Sequence, residues 1–241
     1  MIIYLEGTVF NAPAKTLVNT VNCAGVMGAG IALEFKLRYP EMYKDYVEKC
    51  KEKQMKVGIP RIYEYSEDIW IMNFPTKGHW RYPSKIQWIE QGLKYFVENH
   101  KKRNIESIAF PKLGTNNGGL DWNEVKLLME KYLNNLDIEI FICLDEKNEA
   151  EGIEKIMLDS LNGSTLEKLV EEVEVPKKQA DKVIKSIPFK RLWHVSKVEG
   201  IGEKTYEKIF KFFYMKTDCY KEINKDQDDY KEVEGEQLRL F

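Results

Sequence analysis

Three short segments hold the residue types from which a reactive site could be built. In the first, the run Val18 to Asn22 leads into Cys23-Ala24-Gly25-Val26-Met27-Gly28-Ala29-Gly30-Ile31-Ala32. A strand that ends in glycines and then enters a helix aims backbone N–H groups and a helix N-terminus at an anion. It is not the GxGxxG dinucleotide fingerprint, because position 33 is Leu33 and no ribose-binding acid follows at the usual distance. The second segment, Phe110-Pro111-Lys112-Leu113-Gly114-Thr115-Asn116-Asn117-Gly118-Gly119-Leu120-Asp121-Trp122, repeats the arrangement. Either loop alone is as readily an ordinary turn, but two in one domain suit a diphosphate. The third, Asn73 to Arg81, is dense in reactive types. Lys77 there is a candidate nucleophile or proton donor if burial or Arg81 lowers its pKa. By residue type alone it reads first as a solvated surface lysine.

These loops need strands before them and helices after them. Ile2–Leu5, Thr16–Val21, Ile105–Phe110 and Ile138–Leu144 read as short apolar or β-branched strands. Arg61–Tyr65 and Ile69–Phe74 read as a strand pair. Helices are expected from Gly28 to Tyr39, stopped by Pro40, and then over Glu41–Lys53, Ser84–Arg103 with Ser84 as N-cap, and Trp122–Leu133. Strands alternating with helices imply an α/β layered fold with ligand loops at the carboxyl ends of the strands. Beyond Leu144 the character changes. Glu151–Val173 reads as an acidic helix, and Ala180–Phe213 as a basic helical region broken at Gly200-Ile201-Gly202. Thr217–Gly235 is polar. Four regions are expected: 1–145, an acidic connector at 146–176, a basic region at 177–216, and a flexible acidic tail at 217–241.

Charge supports that division. Residues 1–143 carry 19 basic and 17 acidic side chains, and residues 144–176 carry 3 and 10. Residues 177–216 carry 11 basic and 4 acidic, and residues 217–241 carry 4 and 8. A basic block between acidic ones is a candidate nucleic-acid surface, and also reads as a lysine-rich solvated face. The four cysteines lack a CxxC pair and the three histidines are dispersed, so no metal site and no cofactor are expected. Without an apolar run of membrane length or a secretion-type start, the expected setting is the cytoplasm, away from membranes.

Together the three segments resemble macrodomains, and specifically the branch of DNA ADP-ribosyl glycohydrolase antitoxins of the DarG type. The pattern VNxVNxxGVMGxGIAxxFKxxYPxM is met by Val18 to Met42, NFPTKxHWRxPS by Asn73 to Ser84, and PxLGxxNGGLDW by Pro111 to Trp122. The resemblance implies a three-layer α/β/α macrodomain with a mixed sheet over residues 1–145, followed by a small helical C-terminal region. It implies an enzyme that releases ADP-ribose from DNA bases, thymine foremost, and so reverses a DarT-type toxin. Asn22 would hold the distal ribose. Gly28, Ala29, Gly30 and Ile31, with Gly114, Thr115, Asn116, Asn117, Gly118, Gly119 and Leu120, would clamp the diphosphate. Thr8 and Val9 would meet the adenosine end. Lys77 matches the lysine needed for catalysis, and Asp121 the position of an assisting aspartate. Asp121 reads equally well as the N-cap of the helix after it. Two departures stand out. Thr8 replaces the usual adenine-binding aspartate, and Asn116 stands where glycine is common, a residue that tolerates positive φ better than most.

An N-glycosidic bond at the ribose anomeric carbon breaks through an oxocarbenium-like state. Orienting the ribose, stabilising the cation with the phosphates, and protonating or trapping the pieces all help. Two other functions fit the same loops: a non-catalytic ADP-ribose reader, and a hydrolase of protein-linked ADP-ribose.

In the C-terminal third, Val198-Glu199-Gly200-Ile201-Gly202-Glu203-Lys204-Thr205 resembles a helix-hairpin-helix. Gly200 and Gly202 would permit the turn, while Lys204 and Lys208 would add charge for DNA phosphates. The alternative is a purely structural turn. The last residues, Gln237-Leu238-Arg239-Leu240-Phe241, resemble the short peptide by which bacterial proteins dock on the sliding clamp. Gln237, Leu238, Leu240 and Phe241 would be the anchors.

Overall fold

The computed structural model describes residues 1–217. The tail beyond them, with the clamp-like peptide, lies outside the described residues. The chain divides into two compact units, Met1–Glu146 and Lys147 onward.

In the first unit the strands are β1 (Ile2–Leu5), β2 (Thr16–Asn22), β3 (Arg61–Glu64), β4 (Trp70–Lys77), β5 (Ser107–Pro111) and β6 (Glu139–Cys143). They form one sheet in the order β1-β6-β5-β2-β4-β3. All neighbours are parallel except β3, which runs antiparallel to β4 at the edge. The sheet is therefore mixed, and five strands point their carboxyl ends at the same edge.

The helices are α1 (Gly30–Arg38), α2 (Pro40–Lys51), α3 (Ile86–Asn99) and α4 (Trp122–Leu133). Side chains alternate across a strand, so each strand of the sheet serves two faces. Val18, Met72 and Phe74 join one core cluster with Ile89, Leu93 and Phe96 of α3 and Val125, Met129 and Leu133 of α4. The intervening Asn19 and Asn73 point the other way, toward Met27 and Met42. Helices thus cover both faces, and the unit is an α/β/α sandwich.

Three local expectations change. Pro40 ends α1 but is also the first residue of α2, where its missing N–H leaves no helical bond unmade. β4 runs on through Lys77 rather than stopping at Phe74, because Val21 and Asn22 of β2 continue to pair with it. Ser84 is not an N-cap. It is buried, the cap position falls on Lys85, and its backbone N–H donates to Gly118 O at 2.9 Å.

The second unit holds α5 (Gly152–Asn162), α6 (Leu166–Glu171), α7 (Lys177–Ser186), a 3-10 turn at Leu192–Lys197 and α8 (Glu203–Met215). The expected long helices are broken at Gly163 and again around the Ile187–Pro188 peptide, which is cis. Buried Leu158, Leu161, Leu169, Val183, Val195, Ile209 and Phe213 make its core. Within it Arg191 pairs with Glu154 at 3.0 Å with both side chains nearly fully buried. Glu154 also accepts from the Leu192 backbone N–H, so this charge is balanced rather than stranded. Among the described residues no helix is long and apolar enough to cross a membrane.

Candidate active site

Parallel pairing gathers the candidate residues at one edge. Thr8 and Val9 follow β1, with Val9 opening a 3-10 turn and buried to 1% exposure. The loop with Gly28, Ala29, Gly30 and Ile31 follows β2, residues 78–84 follow β4, and residues 112–121 follow β5. Register places Asn22 opposite Lys77, after an irregularity between Val21 and Asn22. Both residues thus stand at the carboxyl edge of the sheet, where open α/β sheets hold ligands.

The loops are fastened to one another. Lys77 Nζ donates to Asn117 O, which ties β4 to the loop after β5. Gly30 adopts φ of +58°, and a Cβ there would lie 2.8 Å from Asn117 Nδ2, so the first and second glycine loops meet at this point. Gly118 is set by crowding rather than φ, since a Cβ would fall 2.0 Å from Gly114 O and 2.5 Å from Ser84 Oγ. The positive φ angles of this loop belong to Gly114 and Gly119, not to Asn116. Asn116 is therefore an ordinary turn residue, and its tolerance for the left-handed region is not called on.

Burial lowers the Lys77 pKa from the ordinary lysine value. The cause is desolvation, which disfavours the ammonium form. A larger share of neutral amine follows at neutral pH, the property a lysine nucleophile needs.

Asn22 is buried and its side chain is engaged within the protein. Its Nδ2 donates to Val26 O at 2.6 Å, and its Oδ1 accepts from Ala24 N at 2.8 Å and from the Tyr46 hydroxyl at 3.2 Å. In this state Asn22 shapes the first loop. Asp121 is the N-cap of α4, accepting from Asn123 N at 2.9 Å and Glu124 N at 3.2 Å through one oxygen. The cap alternative is thus realised, and the second carboxylate oxygen is the one left for any other task.

Several supporting residues carry no sequence signal of a role. Tyr46 of α2 bonds both the backbone and side chain of Asn22. Asn19 and Asn73 pair at 3.0 Å inside apolar strands, and only their presence among aliphatic residues sets them apart. The Ser84 hydroxyl is buried and has no hydrogen-bond partner among the described residues. Such a group commonly awaits a ligand or water.

Gly200, Gly202, Lys204 and Lys208 lie in the second unit. Gly200 has φ of +85°, and Gly202 is the N-cap of α8. Gln179 Nε2 bonds Gly200 O at 2.8 Å, and Lys182 Nζ bonds Glu199 O at 2.9 Å. Lys204 is exposed, but Lys208 donates to Glu174 O and pairs with the Glu174 carboxylate at 3.5 Å. The element before the hairpin is the 3-10 turn at Leu192–Lys197, not a full helix.

Comparison with known proteins agrees with the topology. A family model described as Macro domain matches residues 18–129. The DNA ADP-ribosyl glycohydrolase of Thermus aquaticus is 42% identical over 148 residues, covering 59% of this chain and 41% of that protein. The macrodomain of Mycobacterium tuberculosis DarG superposes with a TM-score of 0.58 at 44% identity, covering 59% of this chain and 97% of that structure. Thermosipho africanus DarTG in complex with ADP-ribose superposes with a TM-score of 0.58 at 38% identity, covering 64% of this chain and 44% of that one. The chain spans less than half the length of the DNA ADP-ribosyl glycohydrolases it matches.

Proposed function

The chain belongs to the macrodomain family, and from that premise we propose that its first unit binds ADP-ribose and hydrolyses its N-glycosidic link to a DNA base. The observation that carries this reading is Lys77. It ends β4 opposite Asn22, is half-buried with a lowered pKa, and bridges to the glycine loop after β5. A reader of ADP-ribose needs the two anion loops but has no use for a partly desolvated amine beside them.

The loops after β2 and β5 would clamp the diphosphate through backbone N–H groups. Asn22, held by Tyr46 and Val26, would fix the wall against which the distal ribose sits. The reaction separates the anomeric carbon from the base nitrogen. Water or the Lys77 amine takes the carbon, and the base leaves with a proton. A neutral Lys77 would trap the anomeric carbon, with water later releasing the sugar, whereas an ammonium form would hand its proton to the leaving base. Thymine is the base we favour. Protein-linked ADP-ribose would use the same site.

The fusion of the two activities in the Thermosipho africanus relative, named DNA ADP-ribosyl transferase-DNA ADP-ribosyl glycohydrolase fusion protein, supports a DarT-type transferase as partner. For the second unit we propose contact with DNA phosphates through Lys204 and the hairpin at Gly200–Gly202. A sliding clamp would be a further partner through Gln237, Leu238, Leu240 and Phe241. The deciding experiment incubates the full chain with single-stranded DNA ADP-ribosylated on thymine, beside ADP-ribosylated protein. Release of ADP-ribose from DNA is expected, and its absence from both substrates leaves only a reader.

A further inference from the structure

The seven residues after Lys77 form a structure that the chemistry at the anomeric carbon does not use. Trp80 is 47% exposed and Tyr82 is 67% exposed. Large aromatic rings exposed together on one short loop carry a desolvation cost that a folded chain ordinarily avoids, and such patches mark binding surfaces. These rings are ordered against each other. The His79 ring stacks on Trp80, centroids 5.5 Å apart at 26°, and stands 5.7 Å from Tyr82. The Arg81 guanidinium lies over the Trp80 ring at 4.7 Å. His79 Nδ1 accepts from the Arg81 backbone N–H, and His79 O accepts from Tyr82 N–H at 3.2 Å.

The loop is also pinned to both halves of the candidate site. At its start Gly78 O accepts from Cys23 N–H at 3.2 Å, next to Asn22. At its end Ser84 N–H donates to Gly118 O at 2.9 Å, inside the second glycine loop. The aromatic shelf is therefore held at the rim beside Lys77 and does not swing free. From Lys77 to Trp88 the chain carries Lys77, Arg81 and Lys85 and no acidic residue. Flat π faces interleaved with cations and free of acids match one ligand chemistry in particular, unpaired bases on a phosphate backbone. A peptide would need main-chain partners, and duplex DNA keeps its base faces stacked.

We propose that His79, Trp80 and Tyr82, with Arg81, form a stacking shelf for the bases flanking the modified nucleotide of single-stranded DNA. The proposal rests on the reading of the pocket as an ADP-ribose–DNA site. It assigns substrate length and strandedness to this loop and leaves ADP-ribose affinity to the glycine loops.

The test uses the full chain and labelled, unmodified ten-nucleotide single strands. One strand carries bases, another is abasic with the same charge, and a third is paired as duplex. Wild type should bind the base-bearing strand about tenfold more tightly than the abasic one, the factor expected for roughly one stacked base. Trp80→Ala should erase most of that difference, Trp80→Phe should keep most of it, and ADP-ribose affinity should stay within about twofold in both. On ADP-ribosylated single strands Trp80→Ala should raise KM. Equal binding of base-bearing and abasic strands by wild type, preference for duplex, or an undiminished difference in Trp80→Ala would each overturn the proposal. If wild type releases no ADP-ribose from modified DNA, the glycohydrolase reading falls, while the comparison of base-bearing and abasic strands still decides the shelf.

Discussion

Two glycine turns in this protein look alike in one dimension and differ in surroundings. The loop Gly114–Leu120 of the first unit and the hairpin Gly200–Gly202 of the second each precede a helix, and each was a candidate for binding phosphate. In the first, crowding dictates Gly118, while Gly119 is set by its φ of +76°. A Cβ on Gly118 would run into the Gly114 carbonyl, and Lys77 from another strand reaches the Asn117 carbonyl. In the second, nothing lies within 4 Å of a Cβ on Gly202, a Cβ on Gly200 would meet only the flexible end of Lys182 at 3.0 Å, and Gln179 and Lys182 bond the Gly200 and Glu199 carbonyls. Its lysines differ in turn, since Lys204 is exposed and Lys208 is engaged by Glu174. The two turns therefore differ in what fixes their glycines and not in an open helix start, since Asp121 caps α4 whereas α8 begins at Gly202 without a side-chain cap.

The contrast is broken most severely at Lys77. Lys77→Ala is expected to lower release of ADP-ribose from modified DNA by about a hundred- to ten-thousandfold while ADP-ribose affinity changes by a few fold. Turnover assays beside calorimetry check it, and full activity in the variant would remove Lys77 from the chemistry. The pH profile then sharpens its role. Because burial lowers the Lys77 pKa, a nucleophilic amine predicts a rate that rises with pH and levels off below the usual lysine range. A proton donor predicts the opposite slope.

The second unit should show its largest effect in stability. Glu154→Ala leaves the Arg191 guanidinium buried without its carboxylate, which should cost about 3–5 kcal/mol. Thermal unfolding should show an earlier transition for this unit, with ADP-ribose binding by the first unit retained. An unchanged melting profile would mean the pair is not the anchor of this unit. Next in size is Gly119→Glu. Gly119 has φ of +76°, which only glycine adopts without strain, and open space faces its missing Cβ. The added carboxylate would enter that space and repel a diphosphate, weakening ADP-ribose binding by about a hundredfold. Calorimetry with undiminished affinity would show that this loop does not touch the phosphates.

The smallest effect tests the hairpin. Lys204→Ala should weaken DNA binding a few fold and reduce the salt slope by about one unit, whereas Lys208→Ala should do less because its charge is already paired. Equal effects from the two variants would mean that the Glu174 pairing does not hold when DNA is present.

Much of the first unit is legible in the amino-acid sequence. Alternating apolar strands and amphipathic helices announced an α/β layered fold, and the three loops with their glycines, Asn22 and Lys77 stood in a recognisable order. Asp121 carried its capping role in its type and position alone, since a short acceptor before an apolar helix is a local signal. The cleanest failures were also local. Ser84 has the type of a cap but is buried against Gly118, because a neighbouring loop competes for it. The residue pattern ends this strand at Phe74, whereas pairing with β2 carries it through Pro75 and Thr76 to Lys77. In the second unit the sequence reads as an acidic helix over Glu151–Val173 and a basic helical region broken at Gly200-Ile201-Gly202, and Gly163 and the Pro188 region cut these further.

What the amino-acid sequence determined by itself was every property that depends on near neighbours along the chain: strand and helix types, turn chemistry, the cap at Asp121, and the uneven spread of charge. What only the tertiary structure decided was which groups meet. Strand order set Asn22 opposite Lys77, and the irregularity between Val21 and Asn22 brought the strand ends into register. Desolvation gave Lys77 its lowered pKa. The fold of its own loop onto the Gly114 carbonyl, with Ser84 from another loop, left no room for a Cβ on Gly118, and residues from distant parts of the chain fixed the aromatic shelf at both ends. The reason is physical: propensity and capping act over a few residues, whereas burial, register and steric exclusion depend on atoms that the chain brings together only when it folds.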